Sequence, residues 1–182
     1  MAWIEELVRE WTNEDPQLDF SSLPPLIRLA RLGTLIDDFQ ADVLEPFELT
    51  RADYAVLATL RRAGQPFALN PSQLYGRLHR SSGGMTKILK RLEQAALVER
   101  TRDPEDGRGT LVVLTARGRT LHDRVFRAFA AASSRLLTKL SDQEKAEIDL
   151  SLKRTLDCLE GEPASTSQPF DSPAGRSSSD SS

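Results

Sequence analysis

Five side chains in one short stretch have the types and spacing needed to bind a nucleic acid. They are hydroxyl donors and cations: Ser82, Thr86, Lys87, Lys90 and Arg91. Apolar residues recur between them at helical spacing: Met85, Ile88, Leu89 and Leu92. The pattern predicts one helix from Ser82 to about Ala96 with an apolar face and a polar, cationic face. Such a polar face can contact base edges and phosphates in a major groove.

A shorter helix should come directly before this one. Asn70-Pro71-Ser72-Gln73 combines a capping residue, a proline at the first helical position and a glutamine near the third. This helix should end near His79 and lead through a tight turn to Ser82. A short helix, a turn and a second helix with a cationic face are typical of a helix-turn-helix.

A β-hairpin is predicted after the second helix. Leu97–Thr101 and Thr110–Leu114 have the composition of paired strands, and residues 102–109 between them are rich in turn formers. Arg108 should therefore lie near the tip, where a cation can reach a minor groove and its phosphates. Alone, the pattern fits equally well a solvated hairpin with an incidental arginine. The basic helix before it favours the DNA-binding interpretation, a winged helix-turn-helix.

The charge distribution supports a polyanionic partner, although the net charge of the whole chain is −3. From Arg77 to Arg127 there are 12 Lys/Arg against 6 Asp/Glu, and both ends of the chain are acidic. A basic centre between acidic arms fits one face that binds DNA and another that does not. Ordinary surface charge is the competing interpretation.

Several other classes of protein are disfavoured. A single cysteine rules out an internal disulfide framework and favours a reducing compartment. No apolar run approaches the length of a membrane span, and the acidic N-terminus does not resemble a signal peptide, so a cytoplasmic location is expected. Two isolated histidines predict no metal site, and no catalytic constellation or cofactor motif is present. We therefore expect neither an enzyme nor a cofactor.

The elements around the winged helix-turn-helix are predicted to be helical, so the fold class is mainly α with a two-stranded β-wing. A single domain is expected over residues 1–160, followed by a disordered Ser/Pro-rich tail over residues 161–182. Within the domain we assign an N-terminal helix, two dimerisation regions and the winged helix-turn-helix: residues 1–13, 23–47 with 116–160, and 49–115. Apolar helices from both chain ends predict a homodimer, or else they complete a monomeric core.

The wing region resembles the signature of the multiple antibiotic resistance regulator (MarR) family. The resemblance rests on three ordered pieces: Leu97-Val98-Glu99-Arg100, Asp103-x-x-Asp106-x-Arg108 and Leu114-Thr115-x-x-Gly118. It extends from about Leu23 to Leu159. It implies a dimeric winged-helix transcription regulator, usually a repressor, which binds double-stranded DNA at a pseudo-palindromic operator. In this family a small molecule or oxidation often relieves DNA binding.

The N-terminal helix resembles a subset of the family that responds to urate or organic acids. At the four positions that this subset links to its ligand, the chain has Trp11 and Arg100 but also the apolar Ala55 and Ile88. Trp11 and Arg100 are thus candidate ligand-binding residues. Without an arginine at position 88 an anion cannot be held in the same way, so a more apolar ligand, or none, is expected. Trp3 and Trp11 also fit a helix packed on the dimer core.

Three residues have competing interpretations. Lys90 departs from the family pattern, in which an acidic residue is common, and as a cation it should either add a phosphate contact or change base preference. Arg91 either contacts DNA or pairs with Glu93 or Asp123. Cys158, in the predicted last helix, fits a buried, inert thiol at a dimer interface better than an oxidant sensor.

Two other functions remain open for a winged helix with this surface. One is a protein-interaction module that uses its basic surface for an acidic partner. The other is an architectural DNA-binding protein of low specificity. DNA binding that lacks salt dependence would favour the first, and equal affinity for random and operator DNA would favour the second.

Overall fold

A small antiparallel sheet and seven helices make up the part of the chain that the computed structural model describes. That part comprises residues 2–78, 82–104 and 109–161, with only the backbone of Ser82 and Gly83. The elements in chain order are α1 Ala2–Glu14, α2 Leu23–Leu44, a 3-10 turn Glu45–Phe47, α3 Arg51–Arg62, β1 Ala68–Leu69, α4 Pro71–Leu78, α5 Ser82–Gln94, β2 Val98–Arg102, β3 Thr110–Leu114, α6 Ala116–Leu136 and α7 Asp142–Gly161. They fall into two compact units, Met1–Arg135 and Leu136–Ser182.

The sheet has three strands, one more than the sequence predicts. β3 lies in the centre, with β2 on one side and β1 on the other, both antiparallel to it. β2 and β3 form the expected wing hairpin, in which Val98 pairs with Leu114 and Arg102 with Thr110. The two-stranded prediction missed β1 because a strand of two residues is too short to show an alternating pattern.

The core of the first unit lies inside the winged helix-turn-helix. Its buried apolar side chains come from α3, α4, α5 and all three strands: Val56, Leu57, Leu60, Leu69, Leu74, Met85, Ile88, Leu89, Leu92, Leu97, Val98, Val112 and Leu114. The four residues predicted for the apolar face of α5 are all among them. The exposed face of α5 is therefore fixed by the packing of the opposite face.

Reciprocal hydrogen bonds begin three of the helices, and those at α4 involve the capping residue that the sequence predicts. Thr50 and Asp53 form a capping box at α3, in which the Thr50 N–H donates to Asp53 Oδ2 over 2.9 Å. Asn70 and Gln73 exchange the equivalent bonds at α4, at 2.8 and 3.1 Å. At α7 the Ser141 N–H donates to Glu144 over 2.7 Å, and the Glu144 N–H donates back to Ser141 Oγ over 3.2 Å.

The helix α5 ends two residues earlier than its apolar pattern suggests. Ala96 has a φ of 55°, in the left-handed region, and the Leu97 N–H donates to the Leu92 carbonyl over 2.9 Å. A left-handed residue of this kind ends a helix by turning the chain away from its axis. Here the turn leads straight into β2.

The junction between β3 and α6 is tightly packed against this turn. Thr115 Oγ1 donates to the Ala96 carbonyl over 2.8 Å and accepts from the Gly118 N–H over 2.9 Å. A Cβ at Gly118 would overlap the Leu97 carbonyl oxygen and lie 2.7 Å from Leu114 Cδ1. Only glycine allows the first turn of α6 to approach β2 this closely.

The N-terminal helices pack on each other but leave apolar surface uncovered. Ile4 of α1 is fully buried and Glu5 pairs with Arg28 of α2, whereas Trp3 and Trp11 are each 52% exposed. Exposed apolar residues also lie on α2 and α6: Leu26, Leu32, Leu35, Ile36, Phe126 and Leu136. In the single chain, these apolar side chains are thus left largely uncovered by the described residues.

Within residues 136–161, the described part of the second unit, one complete helix is present, α7, with exposed leucines and an exposed cysteine. Leu152, Leu156 and Leu159 face solvent in the single chain, and so does Cys158. Because Cys158 was predicted to be buried at a dimer interface, its exposure in the single chain leaves that burial a prediction. The disordered tail was predicted over residues 161–182. Gly161 is instead the last residue of α7, and residues 162–182 lie outside the described residues.

None of the helices in the described part of the chain combines the length and the apolar character that crossing a membrane would require.

Candidate nucleic-acid interface

The exposed face of α5 presents the residues predicted to contact DNA. Thr86, Lys87 and Lys90 are exposed, on the side opposite the buried residues of the same helix. α4 precedes α5 and packs against α3 and β3, so the helix-turn-helix rests on the sheet. Two other predicted DNA contacts lie outside the described part of the chain, namely the side chain of Ser82 and the whole of Arg108.

Arg91 is held by the first turn of α3. Its Nη2 and Nε donate to Asp53 Oδ1 over 2.6 and 3.1 Å, and Nη2 also lies 3.2 Å from Thr50 Oγ1. The Asp53 side chain is 2% exposed and that of Arg91 is 46% exposed. The predicted partners of Arg91, Glu93 and Asp123, are therefore wrong. The true partner lies 38 residues away in sequence.

A second ion pair holds the opposite flank of α5. Glu93 Oε1 accepts from Arg100 Nε of β2 over 2.5 Å. Since each helical residue advances about 100° around the axis, Glu93 and Arg91 project about 160° apart, measured across the exposed face. Ion pairs thus hold α5 to α3 on one flank and to β2 on the other.

Asp123 of α6 connects to α3 rather than to α5. Its Oδ1 lies 3.1 Å from His122 Nδ1 and 3.4 Å from Arg61 Nε. The hydrogen bond with His122, and then the bond and charge of Arg61, lower the pKa of the Asp123 carboxyl below its ordinary value of 3.8. This network fixes the end of α3 on α6.

A pocket of 860 Å³ lies between α2, α3 and α6. Its lining residues are Gln40, Leu44, Arg51, Tyr54, Ala55, Ala58, Arg61, Arg62, His122, Asp123 and Phe126. Aromatic rings stack along one wall, with centroids of Tyr54 and His122 5.6 Å apart and those of His122 and Phe126 6.0 Å apart. Burial raises the pKa of the Tyr54 hydroxyl above its ordinary value of 10.0, so this group stays neutral at physiological pH. The walls suit a partly aromatic ligand of drug-like size.

The two candidate ligand residues, Trp11 and Arg100, are not brought together in this pocket. Trp11 lines a separate groove of 760 Å³ on α1, together with Leu7, Glu10, Asn13 and Glu14. Arg100 lines neither this groove nor the larger pocket, and its guanidinium is paired with Glu93. Ala55, which was assigned to a ligand position by resemblance, does line the larger pocket.

Sequence reasoning missed two features of this surface. His122 was judged isolated, yet its ring is buried between Tyr54 and Phe126. Asp53 was not identified as the partner of Arg91, because the sequence has no signal for a partner so distant along the chain. No group of His, Cys, Asp and Glu among the described residues could hold a metal ion.

The sequence matches a family model and curated transcription regulators. The model of the MarR family matches residues 47–109. The HTH-type transcriptional regulator PecS of Dickeya dadantii is 32% identical over 151 residues, which cover 83% of this chain and 91% of PecS. The multiple antibiotic resistance protein MarR of Escherichia coli is 31% identical over 139 residues, 75% of this chain and 94% of MarR.

Solved structures of similar chains share the fold. A crystal structure of a mutant of E. coli MarR complexed with operator DNA superposes with a TM-score of 0.63, at 29% identity, over 75% of this chain and 97% of that one. AbsC, a MarR family transcriptional regulator from Streptomyces coelicolor, gives a TM-score of 0.67 at 25% identity, over 80% of this chain and 98% of AbsC. Both similarities extend well beyond residues 47–109.

Proposed function

The chain belongs to the MarR family and is a sequence-specific DNA-binding transcription regulator, and we propose that it acts as a homodimer that represses its own or a nearby promoter. The observation that carries this proposal is the exposed polar face of α5, fixed on a winged helix-turn-helix. Repression would follow from occlusion of the promoter. A DNA target also implies residence in the cytoplasm.

In this proposal, individual residues have different roles at the DNA. Thr86 contacts base edges in the major groove, and Lys87 and Lys90 contact bases or phosphates beside it. Ser82, at the start of α5, faces a phosphate. Arg108 reaches the minor groove that flanks the recognition helix.

The exposed apolar faces of α2 and α6 support a twofold dimer. Leu32, Leu35 and Ile36 of α2 and Phe126 of α6 are exposed in the single chain, and groups of exposed large apolar side chains are typical of interaction surfaces. In a closed twofold dimer the same face of each copy is buried. The two α5 helices would then enter adjacent major grooves about 34–36 Å apart.

The pocket between α2, α3 and α6 is the best place for an effector. A ligand there would contact a helix of the proposed dimer interface and a helix of the DNA-binding lobe at once. Aromatic and aliphatic walls favour a ligand with a largely apolar body. If the ligand binds one lobe spacing better than the other, it shifts the dimer away from the DNA-binding arrangement.

The test is fluorescence anisotropy of the purified protein on DNA from upstream of its own gene. Random duplex of equal length is the control, at two salt concentrations. We expect tight, salt-sensitive binding with a clear preference for the upstream DNA. Equal affinity for both duplexes would favour an architectural role, and no binding to either would favour a protein-interaction module.

A further inference from the structure

Arg91 differs from the other cations of α5 because its guanidinium is already paired within the protein. Three cations lie on the exposed side of α5, and they differ in what they contact. Among the described residues, Lys87 and Lys90 have no hydrogen bond or ion pair, whereas Arg91 donates to Asp53 through two nitrogens. The neighbouring Lys90 therefore provides a natural comparison for Arg91.

Both carboxylate oxygens of Asp53 accept hydrogen bonds that hold α5 against the start of α3. Its Oδ2 accepts from the Thr50 N–H over 2.9 Å and from the Thr50 hydroxyl over 2.7 Å, while Oδ1 accepts from Arg91. The carboxylate is almost completely buried, so loss of its cationic partner would leave a charge without compensation. Charge-assisted bonds of this geometry are shorter and stronger than neutral ones and fix the orientation of both groups.

The position of Arg91 on α5 makes this bond an orienting one. Arg91 lies four residues after Lys87, so it projects from the same side of the helix, one turn further from the start of α5. Asp53 sits in the first turn of α3, whose following residues enter the hydrophobic core. Through this pair, the outer flank of α5 is fixed to the part of the fold that is packed most firmly.

We propose that Arg91 is a positioning residue: through Asp53 it sets the angle at which α5 meets the major groove, and it does not bind a phosphate. This inference rests on the proposed placement of α5 in the groove. It replaces the direct DNA contact that the sequence suggests for Arg91. Sequence discrimination then depends on a buried carboxylate that never touches DNA.

The two roles predict different behaviour in salt. Loss of a phosphate contact lowers the salt slope of binding by about one unit and weakens operator and random duplex alike. Loss of orientation leaves the number of phosphate contacts unchanged. It misplaces the base-reading side chains, so affinity for the operator falls while affinity for random duplex is kept.

The experiment compares Arg91→Gln, Asp53→Asn and Lys90→Gln with the parent. Each dimer is titrated by anisotropy onto the preferred upstream duplex and onto random duplex at four salt concentrations. Asp53→Asn is the decisive variant, because removal of a negative charge cannot weaken attraction to phosphates. Lys90→Gln is the matched control, because it removes the neighbouring cation, which has no ion pair among the described residues.

We expect Arg91→Gln and Asp53→Asn each to lower the operator-to-random ratio about tenfold, the discrimination of roughly one base contact, with parental salt slopes. The double variant should be no worse than either single one, because both remove the same bond. Lys90→Gln should lower the slope by about one on both duplexes. Arg91→Lys should retain part of the ratio, since a lysine can still reach the carboxylate but not with two nitrogens.

The inference is overturned if Arg91→Gln lowers the salt slope by one unit with an unchanged ratio, or if Asp53→Asn leaves the ratio at the parental value. Circular dichroism and thermal melting establish that each variant is folded. If Asp53→Asn does not fold, the half-exposed Arg91 still allows Arg91→Gln and Arg91→Lys to decide between the roles. A parent that shows no preference for upstream DNA would refute the proposed function instead, before any variant is compared.

Discussion

At the scale of single residues, the exposed cations of α5 differ in their contacts, because Arg91 is already paired with Asp53. Thr86, Lys87 and Lys90 are exposed on the face opposite the core. Arg91 is held by Asp53, so its charge is partly neutralised before any DNA arrives. The type of a residue on a recognition helix is therefore not enough to assign its role.

Thr86 and Arg108 should contribute to binding in different ways. Thr86→Ala removes a base-reading group, so the operator affinity should fall several-fold while random duplex is bound as before. Arg108→Ala removes a cation from the wing, so both duplexes should be bound more weakly and the salt slope should fall by about one. Competition anisotropy with the two duplexes measures both effects. Parental behaviour of both variants on the operator would refute the docking arrangement.

The Asp123 network should contribute to stability in a pH-dependent manner. The bonds to His122 and Arg61 lower the pKa of the Asp123 carboxyl in the folded state. The ionised carboxylate therefore stabilises the fold at pH values above its ordinary pKa of 3.8. This contribution is lost as the pH falls below that value, toward the lowered pKa.

The parent should therefore melt at a higher temperature than Asp123→Asn at pH 6, and the difference should shrink between pH 4 and pH 3. Thermal melts followed by circular dichroism provide the comparison. Asp157→Asn, an exposed position on α7, is the control and should melt like the parent throughout. If the difference in melting temperature between the parent and Asp123→Asn stays constant down to pH 3, the ionised carboxylate does not contribute to stability in the predicted manner.

Local bonds were predictable from the sequence, but distant ones were not. The capping pairs Thr50 with Asp53 and Asn70 with Gln73 join residues three apart, so the helix geometry itself brings them together. The bond from Arg91 to Asp53 depends on how α5 packs across α3. No pattern in a single sequence specifies that crossing.

At the scale of elements, α3 connects the candidate effector pocket with the recognition helix. Tyr54, Ala55 and Ala58 of α3 line the pocket. Asp53, at the start of the same helix, holds Arg91 of α5. A ligand that displaces α3 would therefore also displace α5. In the proposed function, ligand binding in the pocket would in this way change how α5 contacts the DNA.

The junction of β3 and α6 should be the least tolerant of added volume. Gly118→Ala places a methyl group against the Leu97 carbonyl and Leu114, and relief would require the first turn of α6 to move. We expect a loss of about 3 kcal/mol in the free energy of unfolding, the upper end for overpacking. Urea denaturation followed by circular dichroism measures it.

Gly76→Ala in α4 is the matched control for this change. Its added Cβ would meet no atom within 4 Å, and alanine favours a helix over glycine by up to about 1 kcal/mol. The control should therefore be as stable as the parent or slightly more stable. Equal stability of Gly118→Ala and the parent would show that the junction is looser than its packing indicates.

Long periodic elements were predicted from the sequence more reliably than short ones. The apolar residues of α5 repeat over the whole helix, so its existence and its buried face were predicted correctly. β1 has two residues and exists only because Ala68 and Leu69 pair with β3. The pairing is a property of the assembled sheet, not of the segment itself.

At the scale of the whole molecule, the proposed twofold dimer would account for the exposed apolar faces. The same twofold symmetry would require an operator with two half-sites. The face that includes Leu32, Leu35 and Ile36 on α2 and Phe126 on α6 remains uncovered in the single chain. Burial of that face in a twofold dimer would fix the separation of the two α5 helices. The operator should therefore need half-sites at one fixed spacing.

The most direct test of this account is to change that spacing. Once a footprint has located the operator upstream, five base pairs are inserted between its half-sites, and a control operator has five central base pairs replaced without a change in length. The insertion moves one half-site about half a helical turn, to the opposite face of the duplex. We predict that the inserted operator is bound no better than random duplex, while the control keeps most of the parental affinity. Parental affinity for the inserted operator would contradict a rigid dimer that reads two major grooves at once.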